Sequence, residues 1–507
     1  MAKQSLEKRI ESILLDCIVR KGEKTDPRDR WDKVKEDLPE ECRELEEAIG
    51  EMREATLDDV PREKAVYYSA RDADATLRIL PKLWSRIQAM GLEQVYKIDM
   101  AIVPMVDRMQ MIGMPASTDY FHSLEPRLTR QMQEKVDAIE ELTKWRINPG
   151  SGDQVAPMLI ALGVPLTKMT KGGTRESTND KVLESFRGTH PAVGLVCDYR
   201  ELAKLRDSFC VVLPKKIGND GRIRCNFRIT RVSSGRLSAT KPNLLAIPVR
   251  TELGKEIRAG FIAPQGRVLG SWDLDQIEMR YMADESRDPV LCGWFLEGRD
   301  VHTQTAAQAF GVDPKDVTKI QRYAAKRLGF GVITGITEIG LAEQMALAGA
   351  EGWPVDRCKE FISIYFQICK GVKSYIEECR AEARRYGFVR DRWGRIRYLP
   401  GVWSDIWWIR EEALRQSHSH KIQAGAQGLM KRAMKEMWDM WKLKPIDCYL
   451  EPLLQIHDEI IWEIDDEPIA KEMWNEVVIN CLTQTTSLRV PVKTKGSYAQ
   501  DWGGLKD

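Results

Sequence analysis

Arg267-Val268-Leu269-Gly270-Ser271-Trp272-Asp273-Leu274-Asp275-Gln276-Ile277-Glu278-Met279-Arg280 sets an apolar run directly before three closely spaced carboxylates. Residues 267 to 272 read as a short buried strand, and Gln276 to Ala283 can continue as a helix with Ile277 and Tyr281 on one face. Asp273 then stands at a strand end, where a carboxylate can meet a hydrated Mg²⁺ without being buried unpaired. A solvated strand end or a helix cap gives the same short pattern, so the surroundings must decide.

Two further segments follow in order. In Arg322-Tyr323-Ala324-Ala325-Lys326-Arg327-Leu328-Gly329-Phe330-Gly331, Arg322, Lys326 and Phe330 recur every fourth residue and share one slowly drifting helical stripe. Two cations and a ring on one face can receive the β- and γ-phosphates of a triphosphate and cover its sugar or base. Gly329 and Gly331 flank the ring and suggest close approach of another group. An ordinary charged helix face, with Phe330 in the core, is the competing reading. Further on, Leu453 to Ile456 and Ile460 to Ile464 read as two strands with His457-Asp458-Glu459 at the bend. Adjacent carboxylates at a hairpin tip repel each other, and a metal offsets that repulsion. A surface acidic turn is the bland alternative.

Taken with Tyr199-Arg200-Glu201-Leu202-Ala203-Lys204-Leu205, the run from Ser234 to Leu244 and Ile247-Pro248-Val249-Arg250, these segments resemble the family A DNA polymerases, from about residue 55 to the C-terminus. The resemblance implies an α+β right-hand polymerase, with a thumb at 96–215, a palm at 216–290 plus 445–507, and fingers at 291–444. It implies that Asp273 and Asp458 hold two Mg²⁺ ions, with Glu459 an auxiliary carboxylate. It implies that Glu278 closes over the sugar and excludes a 2′-hydroxyl, that Arg322, Lys326 and His302 bind the triphosphate, and that Phe330 lies beside the sugar. By the same resemblance Arg236, Arg415, Gln423 and His457 touch primer, template or the terminal base pair. The expected partners are primer-template DNA and dNTPs.

Three departures from the family pattern stand out. Thr334 occupies a position where the family usually has a tyrosine. Asp275 replaces a small neutral residue, and either adds a carboxylate near the metals or pairs with a neighbouring arginine. Leu245 and Ala246 replace two amide residues, so polar contacts to the duplex are lost.

Residues 1–95 depart most. Tyr68-Ser69-Ala70-Arg71-Asp72 resembles the last motif of the family's 3′-to-5′ exonuclease, and the chain starts too late to hold the other two. A lone Asp72 cannot assemble a two-metal site, so no proofreading is expected from this chain alone. Two readings stay open: a remnant helix kept for packing, or the C-terminal part of a split enzyme whose separate exonuclease chain docks on residues 1–95.

Composition sets limits. The chain has 507 residues, long enough for several subdomains, and a formal net charge of only +1. Any nucleic-acid surface must therefore be local, and Arg222, Arg224, Arg228, Arg231 and Arg236 offer one such stripe. Eleven scattered cysteines without a Cys-x-x-Cys pair suggest a reduced, cytosol-like compartment and no zinc, and the family resemblance implies the cytoplasm of a bacterial cell or a phage-infected host. Met1 to Arg20 has no long apolar core, which argues against a signal peptide or membrane span. Lys21 to Arg30 reads as a loop, and Glu125 to Trp145 as an amphipathic helix with Pro126 in its first turn. A DNA-binding protein without catalysis would be expected to lose a metal aspartate or the cationic stripe. A single-subunit RNA polymerase shares the palm logic, but Glu278 argues for deoxynucleotides.

Overall fold

Buried, β-rich runs far apart in the sequence meet in one four-stranded antiparallel sheet. In the computed structural model, which describes residues 60–166, 169–170, 176–248, 251–350 and 352–505, the chain divides into units Met1–Ala89 and Met90–Asp507. The sheet belongs to the second unit. Its strands are β1 (Arg267–Leu274), β2 (Leu450–Ile456), β3 (Glu459–Asp465) and β4 (Thr494–Ala499), in spatial order β4-β1-β3-β2. The edge strand β2 is buried throughout, and its register shifts between Pro452 and Leu454. A proline cannot donate to a ladder, so an edge strand with a bulge is where it is tolerated. The β2 edge is also covered: Arg108, from the helix Val103–Ile112, makes a two-pronged ion pair with Glu451 at 2.7 and 2.6 Å.

Five helices carry the residues that matter below: α1 (Ile277–Ser286), α2 (Val301–Phe310), α3 (Lys319–Thr334), α4 (Trp407–Trp441) and α5 (Pro468–Gln484). α5 packs on the sheet through Trp474, whose ring centroid lies 4.7 Å from that of Trp462, and through Asn475, which accepts from the Trp272 indole. A Cβ added at Gly496 would sit 2.6 Å from Trp272 Nε1, so only glycine lets β4 run past that ring.

Three main cores form. One joins the sheet to residues 102–132, 202–277 and the second half of α4. A second holds α1 to α3 with the helices Val355–Ile368 and Lys370–Tyr386. A third is small and built from residues 139–196. The palm expected from sequence thus draws its core partly from segments assigned to thumb and fingers.

Several sequence expectations shift. The thumb helix runs Thr118–Thr143 and is capped by the Ser117 hydroxyl, so Pro126 sits in its interior rather than its first turn. The buried residues Phe121, Leu124, Leu128 and Met132 hold the helix across the missing donor. Glu459 lies in β3 and not at the bend, which shrinks to His457-Asp458. In the first unit the division falls at Ala89, not 95, and Tyr68 and Asp72 lie exposed on the helix Arg62–Ala89. The expectations for Met1 to Arg20 and Lys21 to Arg30 fall outside the described residues.

A buried charge cluster ties the second unit together. Asp99, from the helix Glu93–Ala101, accepts from Lys431 Nζ on α4 at 2.7 Å and from Arg395 at 2.8 Å. The Lys431 side chain is 1% exposed, and burial pulls its ammonium down to about 8 against the opposing pull of Asp99. Removing one partner of such a pair leaves an uncompensated buried charge. Asp99→Ala should therefore lower stability by about 3–5 kcal/mol, read as a shift in the urea midpoint; an unchanged midpoint would show that the cluster holds nothing.

Candidate active site

Strand register brings the first and third motifs together. Asp273 lies directly opposite Glu459 across the β1–β3 ladder, and the Leu274 N–H donates to the Asp458 carbonyl at 3.1 Å. Directly opposed residues of an antiparallel pair share a sheet face, so Asp273 and Glu459 point the same way. On the other side of Asp273 the register neighbour is Lys495 in β4. Glu459 is 3% exposed and accepts from the Ser271 hydroxyl.

Both turns that carry the carboxylates contain a left-handed residue that is not glycine: Gln276 at φ 50° and His457 at φ 56°. Each such residue costs roughly 1–2 kcal/mol. Buried donors hold both turns. Arg280, 3% exposed, donates to the Asp275 carbonyl at 2.7 Å and the Pro491 carbonyl at 2.6 Å. Gln455, 1% exposed, donates to the His457 carbonyl at 2.7 Å. Arg280 also settles the role of Asp275, whose carboxylate it binds at 2.7 Å. The added carboxylate pairs with an arginine.

One cleft gathers Arg236, Glu278, Gln423, Gln427, His457 and Asp458. Across it Arg236 binds the Glu278 carboxylate at 2.5 Å, which fixes the carboxylate's direction. Gln427 is 4% exposed, and its Nε2 has no hydrogen-bond partner. Neither Gln427 nor Gln455 is predicted as a site residue from sequence. Their helical and strand spacings place them no differently from core positions.

The middle motif forms a separate rim. α3 begins with a capping box at Thr318 and Gln321 and carries Arg322, Lys326 and Phe330 along one side, all exposed. It packs against α1 where a Cβ at Gly329 would lie 3.4 Å from Met279 Cε and 3.5 Å from His302 Cε1. Gly331 is the tighter position, because a Cβ there would come within 2.6 Å of Ile336. His302, at the start of α2, faces the Phe330 ring at 5.7 Å between centroids. Burial pushes the imidazole down to about 4, and Arg322 and Lys326 add to that against Asp300, so the ring is neutral at pH 7. Asp300 caps α2 through the Thr303 N–H and grips Arg322 at 2.8 and 3.2 Å. Burial raises the Asp300 carboxyl, but the hydrogen bonds from Arg322 and Thr303 outweigh it and hold it at about 2.

Arg415 lies apart from the cleft. It packs over Gly335 at the end of α3 and pairs with Glu412 at 2.5 Å. Thr334 turns its hydroxyl back onto the Gly331 carbonyl at 3.1 Å, and Leu245 packs against the main core. Of the expected arginine stripe, Arg222 binds buried Glu463 at 2.8 Å and Arg224 binds Asp220 at 2.5 Å. Arg228 and Arg231 are exposed.

Among the described residues, no group of three or more His, Cys, Asp or Glu side chains is placed to enclose a metal ion. Asp273 and Asp458 nonetheless offer hard oxygen donors from adjoining backbone positions. That donor set fits Mg²⁺, which keeps several waters and takes one or two carboxylates plus substrate phosphates instead of a full protein cage.

The profile of DNA polymerase family A matches residues 118–504, which takes in every element of this site. The chain belongs to DNA polymerase family A. It is 34% identical over 430 residues to the thermostable DNA polymerase I of Thermus filiformis, covering 84% of this chain and 50% of that protein. With DNA polymerase I of Pseudomonas aeruginosa it shares 32% identity over 458 residues, covering 89% of this chain and 49% of the relative. The chain thus spans about half the length of these curated relatives. The solved polymerase domain of Pol1 from M. smegmatis, in complex with DNA primer-template and dNTP, superposes with a TM-score of 0.78 at 29% identity, over 86% of this chain and 75% of that one. The right-hand polymerase fold of this family is therefore the fold of this chain.

The Gln455 tether is directly testable. Gln455→Leu keeps the volume but strips the His457 carbonyl of its buried donor, so stability should fall by about 1–3 kcal/mol in urea titration. A variant as stable as the parent would show that the His457 turn holds itself.

Proposed function

We propose that the chain is a DNA-directed DNA polymerase, a nucleotidyltransferase that extends a primer from dNTPs with two Mg²⁺ ions held by Asp273 and Asp458. The observation that carries this is the β1–β3 register, which sets the Asp273 strand end against the His457-Asp458 turn. Bound there, the ions supply the charge that lowers the pKa of the primer 3′-hydroxyl and stabilises the leaving pyrophosphate. The chain's own groups do the rest. Arg322 and Lys326 receive the β- and γ-phosphates, and the neutral His302 ring adds a single hydrogen bond. Phe330 covers the sugar. Glu278, held in direction by Arg236, stands where a 2′-hydroxyl would project. Glu459 adds negative charge beside the metal ligands and is oriented by Ser271. Arg236, Gln423 and His457 line the cleft that takes the terminal base pair, and Arg415 meets the template beyond it.

Primer-template DNA and dNTP as partners are supported by the ligands of the M. smegmatis relative. The subdomain reading keeps the thumb at 96–215, the fingers at 291–444 and the palm in two pieces around them. A cytoplasmic setting is supported by nine described cysteines that are all free thiols. No helix among the described residues is long and apolar enough to cross a membrane.

Primer extension tests the assignment. Asp273→Ala or Asp458→Ala should reduce extension at least a thousandfold and leave primer-template affinity within a few fold, because each removes a metal ligand and no duplex contact. In the same assay Glu278→Ala should raise ribonucleotide incorporation relative to dNTPs. Near-parental extension by an aspartate variant, or unchanged sugar preference in the Glu278 variant, would remove the corresponding role.

A second reading concerns Tyr68 and Asp72, one helical turn apart and exposed on the helix Arg62–Ala89, as a shared exonuclease site would require. On this reading a separate exonuclease chain completes the metal site. Purified alone the chain should not degrade a primer 3′ end in Mg²⁺. Degradation restored by a second chain but indifferent to Asp72→Ala would rule out a shared site.

A further inference from the structure

Polymerase chemistry accounts for the cleft and its rim, but not for the start of α4. Six aromatic and aliphatic side chains stand in solvent there and beside it: Tyr398, Trp403, Ile406, Trp407, Trp408 and Ile409, exposed between 41% and 62%. Soluble proteins rarely leave so many large apolar groups together without a use. The cluster is ordered by real contacts. The Trp403 indole donates to the Arg384 carbonyl at 2.8 Å, and its ring presses against Gly387, where a Cβ would clash. The rings continue from Tyr398 to Phe388 at 6.0 Å and from Phe388 to Tyr386 at 5.8 Å. Ile409 reaches back to within 3.2 Å of a Cβ position at Gly401, so the 3₁₀ turn Pro400–Trp403 and the first turn of α4 form one surface.

The charge around this surface chooses its occupant. Of the eight arginines between residues 384 and 415, Arg395 is engaged by Asp99, Arg392 by Asp284 and Glu285, and Arg415 by Glu412, which leaves the guanidinium groups beside the rings to set the surface charge. Arg384 and Arg385 are exposed at the edge of the ring series, and Arg385 lies over Tyr386 at 5.1 Å. At the first turn of α4, Ile406 in the N-cap position makes no side-chain hydrogen bond to the helix. The positive end of a 35-residue helix thus lies beside the indoles without a side-chain cap. Flat rings interleaved with guanidinium groups and a helix N-terminus match the two parts of a nucleotide, a stacking base and a phosphate.

We propose that Trp403, Trp407 and Trp408, with Arg384 and Arg385, form a binding platform for single-stranded nucleic acid, occupied by the unpaired template ahead of the primer end. The location rests on the polymerase reading. Arg415, assigned to the template, is seven residues along α4 from Trp408, about 10 Å at the helical rise. A strand that leaves the site past Arg415 reaches the indoles within a few nucleotides. Stacking reads no sequence, so the platform would hold any template alike.

The experiment uses the full chain and the double variant Trp407→Ala/Trp408→Ala, both at exposed positions outside the cores. Equilibrium binding is measured with a labelled single-stranded oligo-dT, and with one primer-template duplex bearing a 5′ template overhang of either two or fifteen nucleotides. The expected result is at least tenfold weaker binding of oligo-dT and of the long overhang, with the short overhang bound and extended as by the parent. Oligo-dT should also quench tryptophan emission in the parent and quench it less in the variant. Equal loss on both overhangs, or no loss on either, overturns the platform. So does a variant that changes only self-association in sedimentation, because the indoles would then be a protein-docking surface. Oligo-dT binding is read without catalysis. A chain that binds and quenches but extends no primer would sink the polymerase reading and leave the single-strand site standing, with its template assignment withdrawn.

Discussion

The site depends on the pairing of β1 with β3. Ser271 and Glu459 are 188 positions apart in the chain, yet their side chains meet because that ladder is in register from Arg267 to Asp273. A slip of one residue would turn Asp273 to the opposite face from Glu459, since side chains alternate along a strand. The register is held by burial: Trp272, Ile460, Ile461, Trp462 and Ile464 are all fully enclosed. Sliding the strand would carry these groups toward solvent at about 25 cal/mol for each square ångström exposed. The apolar core therefore fixes where the carboxylates stand, and the carboxylates contribute little to fixing themselves.

Left-handed turns at Gln276 and His457 follow from the same constraint. β1, paired on both sides, and β2, which turns straight into β3, each leave the ladder abruptly at their carboxylate-bearing ends. Here the two abrupt exits use ordinary residues in a disfavoured conformation, and each is held by a buried donor, Arg280 in one and Gln455 in the other. Both donors reach backbone carbonyls of the turns, Arg280 that of Asp275 and Gln455 that of His457. Arg280 also takes the one extra carboxylate, Asp275, out of competition.

Much of this was legible in the sequence, where the pattern itself carries the physics. The stripe Arg322, Lys326 and Phe330 needed only helical period, and the two hairpin strands needed only β-rich apolar runs. Glu459 was misplaced at the bend because a charged residue reads as a turn, whereas its neighbour Ser271 satisfies it inside the ladder. The pattern around Pro126 points to a helix that starts at Glu125, and the true start is the hydroxyl cap at Ser117, eight positions earlier, which a proline-led reading passes over. Gln427 and Lys495 could not be found, since their placement beside the cleft and opposite Asp273 is a product of long-range packing and register. The indoles at the start of α4 were equally hidden: in sequence, tryptophans next to isoleucines read as core.

One cation of the rim and one of the cleft are already engaged. Arg322 grips Asp300 and Arg236 grips Glu278, and each arginine keeps a third or more of its side chain in solvent. Ion pairs with that much exposure are worth only about 0–1 kcal/mol, so a polyanion can displace the carboxylate at small cost. The pairs also bear on ligand binding. On the proposed reading they hold long, flexible guanidinium groups near where phosphate or sugar binds, which reduces the rotamer entropy still to be lost on binding. The two pairs differ in what displacement leaves behind. Asp300 keeps its place after losing Arg322, because the Thr303 N–H still binds it as the cap of α2. Among the described residues no second partner of that kind holds Glu278 in the cleft, so loss of Arg236 would free its carboxylate to swing. On the proposed reading, Arg322 can be exchanged between carboxylate and phosphate without disturbing the helix beneath it, whereas the Arg236–Glu278 pair has to stay closed to test the sugar.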